Sequence, residues 1–253
     1  MISGVILVKD QVDVLERCIK SLLWCQEIIV IDDNSSDGSG ELAKKLGAKV
    51  YKRSLNNNFS EQRNFALKKV TQDWALFIDA DEVVTKNLSE EIYQQTSQFL
   101  TPFNGFFIKR VDFLWGRRMR FGEVSDSVFM RLARVEKGDW KGQVHEVWDV
   151  QGGKSTLKNV IEHYPHPSIT EFLSEINYYS TLRAQDLYKS CSTIPFWQII
   201  FYPPGKFFYN YVLRLGFLDG VQGIILALMM SMHSFLVRGK LWQLNLTKKS
   251  AFS

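Results

Sequence analysis

The chain has 253 residues and a formal net charge of +4, with 45% hydrophobic and 23% charged residues, an ordinary balance for a globular protein. It is long enough for one large α/β domain, or one domain with an appendage. Its three cysteines, Cys18, Cys25 and Cys191, lack metal or redox spacing, and their odd number argues against a secreted disulfide scaffold.

The opening Met1-Ile2-Ser3-Gly4-Val5-Ile6-Leu7-Val8 carries no basic segment or cleavage site. It therefore reads as a first strand over residues 2–8 rather than a signal peptide, and a reducing cytosolic setting is expected. Leu15, Cys18, Ile19 and Leu22 fall at helical spacing, and residues 27–31 read as a second strand. Asp33-Asn34-Ser35-Ser36-Asp37-Gly38 is turn and cap chemistry. A helix over 40–46, a short strand over 49–53, a helix over 60–70 and a strand over 74–78 follow. Strands alternating with helices predict βαβ units and a mostly parallel sheet, with ligands bound beyond the carboxyl ends of its strands. The acidic segments 32–33 and 79–82 both follow strands, so both are expected on that edge.

The second segment, Ile78-Asp79-Ala80-Asp81-Glu82, is the more informative. Strand side chains alternate, so Asp79 and Asp81 are expected to point the same way. Two like charges there are costly unless a cation or strong donors compensate them. Hard oxygen ligands at this spacing suit Mg²⁺ or Mn²⁺. The competing reading is a solvated turn in which Glu82 starts a helix.

From about residue 103 the pattern changes. Strands are expected at 106–108, 129–132 and 144–150, and a helix at 168–190, after which Pro203-Pro204-Gly205 should break the chain. Residues 220–237 carry no charge, and residues 183–253 hold a net +6 against −2 for residues 1–182. This predicts a catalytic part over 1–182 and a helical, apolar and basic extension over 183–253. The extension, flanked by Trp197, Tyr202, Tyr209, Tyr211 and Trp242, suits an interfacial helix pair on an anionic membrane. A homo-oligomer interface or the core of a small helical subdomain is the alternative. Nucleic acid is not an expected partner, because the basic residues are scattered among Phe, Leu and Met.

The Ile31-Asp32-Asp33-Asn34-Ser35-Ser36-Asp37-Gly38 and Ile78-Asp79-Ala80-Asp81-Glu82 segments together resemble a family-2 glycosyltransferase of the GT-A fold, an α/β class with a Rossmann-like central sheet. Gln62-Arg63-Asn64, Val144-His145-Glu146 and Gly216-Phe217-Leu218-Asp219-Gly220 extend the likeness to the bacterial lipopolysaccharide-core glucosyltransferase-like subgroup. One departure is the first βα turn, which has Val8-Lys9-Asp10-Gln11 where the family usually shows an Asn-Glu pair. The resemblance implies an inverting transfer from a nucleotide-diphosphate sugar, with UDP-glucose the expected donor, to a lipid-linked saccharide at the cytoplasmic face of the inner membrane. It implies donor contacts from Val8, Asp10, Asp33, Arg63 and Asp79, with Asp33 at the base and Arg63 gripping the diphosphate. Asp81 would be the main metal ligand, with Asp79 and His163 as further ligands.

Direct inversion needs a base for the acceptor hydroxyl, and Glu146 is favoured over His145 because neighbouring strand residues face opposite ways. Each residue has a plainer alternative: an Asx-turn for Asp33, an exposed helix position for Arg63, a buried structural His145, a loop His163. A polyprenyl-phosphate sugar synthase and a non-catalytic sugar-nucleotide binder are the alternative functions. A Rossmann dehydrogenase is the reading from another class, and the lack of a Gly-x-Gly-x-x-Gly after the first strand argues strongly against it.

Overall fold

The computed structural model describes residues 1–56, 58–97, 101–123, 127–142, 146–190 and 194–250. His145 and Cys191 lie outside the described residues. The first third alternates as the sequence predicts: β1 (Ile2–Val8), α1 (Val12–Ser21), β2 (Glu27–Asp32), α2 (Ser39–Lys45), β3 (Lys49–Lys52), α3 (Phe59–Leu67) and β4 (Trp74–Asp79). Then come β5 (Glu82–Val84), α4 (Lys86–Ser97), β6 (Phe103–Leu114), β7 (Arg117–Arg118), β8 (Val128–Arg134), β9 (Gly138–Lys141), β10 (Val147–Val150) and β11 (Gly153–His163). The helices α5 (Ile169–Lys189), α6 (Trp197–Phe208) and α7 (Gly220–Ser250) complete the chain.

The main sheet is mixed, in the order β3-β2-β1-β4-β8-β6-β11-β5, with β7 paired to β6. Its first four strands are mutually parallel, and β8 joins β4 antiparallel. β1, β2 and β4 are near-continuous apolar runs because both faces are covered. Leu15, Cys18 and Ile19 of α1 pack on one face with Ile6, Val30 and Ile78. Val5, Ile29, Ile31 and Phe77 face the other, against Ala66 and Leu67 of α3 and Trp140 and Trp148. At the entry to β2, the buried Glu27 carboxylate joins three elements. It accepts from Ser3 Oγ at 2.5 Å, Lys49 Nζ at 2.8 Å and Thr71 N at 2.7 Å.

The chain divides into two compact units: Met1–Val111 with Asp126–His163, and Asp112–Ser125 with Tyr164–Ser253. This corrects the expected boundary at residues 182/183. α5 belongs with the later helices because its polar groups bind α7: Lys240 Nζ donates to Asn177 O at 2.6 Å, Ser180 Oγ at 2.8 Å and Thr181 Oγ1 at 2.7 Å.

In the second unit, Phe172 and Ile176 of α5 pack with Leu226 and Met229 of α7 and with Leu114 and Met119. Gly216–Asp219 forms a 3₁₀ turn in which Asp219, only 2% exposed, accepts from the amides of Arg120 and Phe121 at 2.9 Å. Gly223 of α7 lies so close to this turn that a Cβ on it would collide with Gly216 O. Pro203 and Pro204 do not break the chain as expected; they lie inside α6. Pro203 is buried and its carbonyl accepts Ser231 Oγ of α7 at 2.7 Å, so packing overrides the local preference.

Candidate active site

The parallel strands deliver their carboxyl ends together: Val8 is level with Asp32, Leu7 with Asp79, and Asp32 with Lys52. Loops leaving β1 and β2 are tied by Asp10, whose Oδ1 accepts Ser36 N at 2.7 Å and whose amide donates to Ser35 Oγ at 3.0 Å. Val8 turns its side chain into the core and offers its carbonyl, which accepts Asp33 N at 2.9 Å. Asp33 Oδ1 accepts Leu55 N at 2.8 Å and Oδ2 accepts Lys9 Nζ at 3.0 Å. Its two oxygens thus tie the loop after β3 to the turn after β1.

Asp79 and Asp81 do not share a face. β4 ends at Asp79 and the chain turns at once, so strand alternation lapses. Asp79 meets two guanidiniums: Arg131 donates to Oδ1 at 3.2 Å and Oδ2 at 2.6 Å, and Arg63 donates to Oδ1 at 3.1 Å. Asp81 instead meets His163 Nε2 at 3.1 Å. β11 brings His163 there by pairing it with Glu82 across β5. Among the described residues no group of three or more His, Cys, Asp or Glu side chains is arranged to hold a metal. The two arginines engage Asp79, and Asp81 and His163 stand together as a pair. That pair still fits a divalent cation, since such ions commonly take one or two protein carboxylates and complete their shell with substrate phosphates. Its imidazole nitrogen suits Mn²⁺ better than Mg²⁺.

Glu82 is fully buried rather than opening a helix. Its Oε2 accepts Asp79 N at 2.9 Å and its Oε1 accepts Arg131 Nη2 at 2.8 Å. Burial pushes its carboxyl up, opposed by Arg131 and reinforced by Asp79 and Asp81. Burial would also raise Asp79, but Arg131 and then Arg63 outweigh it and hold that carboxyl well below the usual range. Arg131, only 6% exposed in its side chain, is the residue that sequence reasoning missed. The available signal was a charge at an inward position of Phe129-Met130-Arg131-Leu132.

Arg63 is the centre of the arrangement. Asn58 caps α3 by accepting Glu61 N at 3.1 Å, and the next turn holds Gln62, Arg63 and Asn64. Gln62 Nε2 donates to Arg53 O at 3.0 Å, while Asn64 exchanges two hydrogen bonds of 2.8 Å with the backbone of Trp140. Between these anchors Arg63 lies 4.6 Å from the Trp140 ring, and its Nε donates to Glu146 Oε1 at 2.9 Å. It is buried rather than exposed.

Arg63, Asp79, Arg131, Trp140 and Glu146 line a hollow of about 350 Å³ walled also by Phe107, Phe129 and Val147. Arg63 Nη1 and Trp140 Nε1 are buried donors that find no acceptor among the described residues. Unpaired buried donors are costly, and their position beside a hollow matches a ligand rich in oxygen atoms. The geometry places a pinned carboxylate, two guanidiniums and an indole around one space, enough to orient a polyhydroxylated substrate and take a proton from it.

A family model described as Glycosyl transferase family 2 matches residues 3–143. The chain is 30% identical to a lipopolysaccharide core biosynthesis glycosyltransferase, LpsC, of Rhizobium meliloti (strain 1021), over 96% of this chain and 92% of that protein. It is 27% identical to an uncharacterized glycosyltransferase of Rickettsia conorii, over 100% of this chain and 93% of the relative. Among solved structures, Staphylococcus aureus TarS in complex with UDP-GlcNAc is 14% identical with a TM-score of 0.46, over 92% of this chain and 81% of that one.

Proposed function

The chain belongs to glycosyl transferase family 2, and from that premise we propose that it moves a hexose, glucose in the first instance, from a UDP-linked donor onto a lipid-linked saccharide such as lipopolysaccharide core. The observation that carries the proposal is Arg63, which joins Asp79 and Glu146 at the wall of the hollow. In this reading Glu146 is the base. Held by Arg63, it takes the acceptor hydroxyl's proton as that oxygen bonds to C1 of the sugar. The C1–O bond to the diphosphate breaks, and its electron pair leaves with the nucleotide. Asp33, Asp10 and the backbone at Val8 shape the loops that receive the nucleotide. Asp81 and His163 would hold a divalent cation together with the donor's phosphates, and such an ion offsets charge on the departing diphosphate. His145 lies outside the described residues, and Glu146 is assigned the role for its anchored geometry.

The second unit supplies attachment to the cytoplasmic face of the inner membrane. It exposes Phe196, Trp197, Ile200, Phe201, Leu213, Phe235 and Trp242, an apolar and aromatic surface of the kind found at lipid headgroups. Residues 216–246 are long and apolar enough to cross a membrane by length and composition alone. Their packing against α5 and α6 favours a helix that lies on the bilayer.

The test is Glu146→Gln, which keeps the acceptor for Arg63 but cannot take a proton. Transfer from UDP-glucose should fall ~10²–10⁴-fold while donor affinity by calorimetry is nearly unchanged. Near wild-type transfer by the variant would remove Glu146 from the mechanism. A panel of nucleotide sugars, none of which stabilises the wild-type protein, would overturn the proposal as a whole.

A further inference from the structure

A second, larger hollow lies wholly within the second unit, framed by α5, α6 and α7, with a volume of about 920 Å³. One part of its wall is apolar, including Phe201, Met230, Val237 and Leu241; the rest carries Arg183, Lys206 and Arg238 against the single carboxylate of Glu123. That carboxylate is already neutralised, accepting Lys206 Nζ at 2.8 Å and Asn210 Nδ2 at 2.7 Å. The two arginines therefore have no anionic partner among the described residues.

Arg238 is held in a fixed pose. Its guanidinium carbon lies 4.1 Å from the centre of the Tyr202 ring, and Nη1 donates to Ser234 O at 3.0 Å and Ser234 Oγ at 2.8 Å. Its Nε is buried without an acceptor. The edge formed by Nε and Nη2 is the one that grips two oxygens of a phosphate at once. A stacked, pre-oriented guanidinium with an unpaired Nε is better suited to an anion than a flexible surface lysine would be.

α6 and α7 also frame an apolar hollow of about 510 Å³, walled by Phe196, Ile199, Ile200, Phe235 and Trp242. At its floor, nothing lies within 4 Å of where a side chain on Gly239 would begin. The same two helices thus offer a cationic hollow and an apolar one.

From the charged and apolar walls of the larger hollow we infer that the second unit binds one anionic phospholipid of the bilayer, its phosphate on Arg238 and Arg183 and an acyl chain along Phe201, Met230 and Val237 of the same hollow. The inference rests on the attachment proposed above and replaces a diffuse charged surface by a defined site. Lipid phosphate meets the two arginines, the apolar walls take the chain, and the exposed aromatics lie at headgroup depth.

The experiment uses full-length protein in two formats. The first is calorimetry with monomeric dihexanoyl phosphatidylglycerol, with zwitterionic dihexanoyl phosphatidylcholine, whose phosphate is offset by its own ammonium, as the comparison of no net charge. The second is co-sedimentation with phosphatidylcholine vesicles with and without phosphatidylglycerol. Wild-type protein should bind the monomeric anionic lipid. Arg183→Gln/Arg238→Gln should weaken this ~10-fold or more, Arg238→Lys should weaken it despite keeping the charge, and Lys189→Gln, a charge loss outside the hollow, should not. Retained helical signal and melting temperature show that the variants fold. Equal lipid affinity in the double variant and the wild type overturns the site, as does wild-type protein that fails to bind the monomeric lipid. If wild-type protein binds the monomeric lipid and ignores vesicles of both kinds, the site stands and the attachment reading falls. If vesicles bind and the double variant is unaffected in both formats, attachment stands and the site falls.

Discussion

Removing Arg131 tests how the acidic end of β4 is held. Its guanidinium makes two bonds to Asp79 and one to Glu82, at 3.2, 2.6 and 2.8 Å, inside a wall where Glu82 is 0% exposed. In Arg131→Met, Asp79 retains Arg63 at 3.1 Å, while Glu82 loses its nearest cation and keeps the Asp79 amide at 2.9 Å. Breaking a buried ion pair from one side costs ~3–5 kcal/mol, and the surviving Arg63 contact places this case near ~3 kcal/mol. Charge carried by Glu82 accounts for much of that, so in a Glu82→Gln background the same substitution should cost ~1–2 kcal/mol less. Native-state hydrogen exchange of the β4 and β8 amides reads the first unit without requiring the whole chain to unfold in one step. Additive effects, with a coupling below ~0.5 kcal/mol, would refute the claim that Arg131 and Glu82 stabilise each other.

Asp81→Asn should lower transfer ~10²-fold or more and weaken Mn²⁺ binding measured by calorimetry, and excess chelator should silence the wild type; undiminished activity in chelator would remove the cation from the mechanism. Glu27 offers a pH test, since its partners Lys49, Ser3 and Thr71 overcome burial and hold its carboxyl down to about 2. A lowered carboxyl stabilises the fold fully above the unfolded-state value and loses that contribution as pH falls towards 2, so the urea midpoint gap between wild type and Glu27→Gln should close over pH 4.5 to 2. Lys49 is exposed and screened, so the gap at neutral pH should correspond to ~1–2 kcal/mol, and a pH-independent gap would refute the linkage. In the second unit Gly223→Ala should destabilise by ~1–3 kcal/mol through its clash with Gly216 O, whereas Gly239→Ala should stabilise by ~0.5–1 kcal/mol; thermal melts showing equal effects would contradict the packing described.

The early strands were legible because β1, β2 and β4 are buried on both faces and therefore spelled in uninterrupted apolar residues. β11 was not, because only Leu157 and Ile161 of its eleven residues are well buried, and alternation that sparse resembles a loop. α6 was hidden by Pro203-Pro204, whose local meaning is reversed by packing on α7. Asp79 and Asp81 were legible as functional candidates but not in direction, since the period of two holds only while a strand continues. Gln62-Arg63-Asn64 could be read as a motif, yet the separate duties of its members depend on Arg53, Glu146 and Trp140, each distant in sequence. No periodicity encodes such meetings. The boundary between units was displaced for a similar reason: charge asymmetry begins near residue 183, but the polar clamp from Lys240 reaches back into α5.

Under the proposed attachment, the paired prolines of α6 would also set a depth. Proline has no amide hydrogen, so the carbonyls of Ile199 and Ile200 have no donor four residues on. In hydrocarbon such groups would stay dry and unpaired, at a cost of several kcal/mol each. At the headgroup level, water can satisfy them. On the bilayer surface proposed above, α6 would therefore ride as a float with a waterline, its own backbone keeping it from sinking.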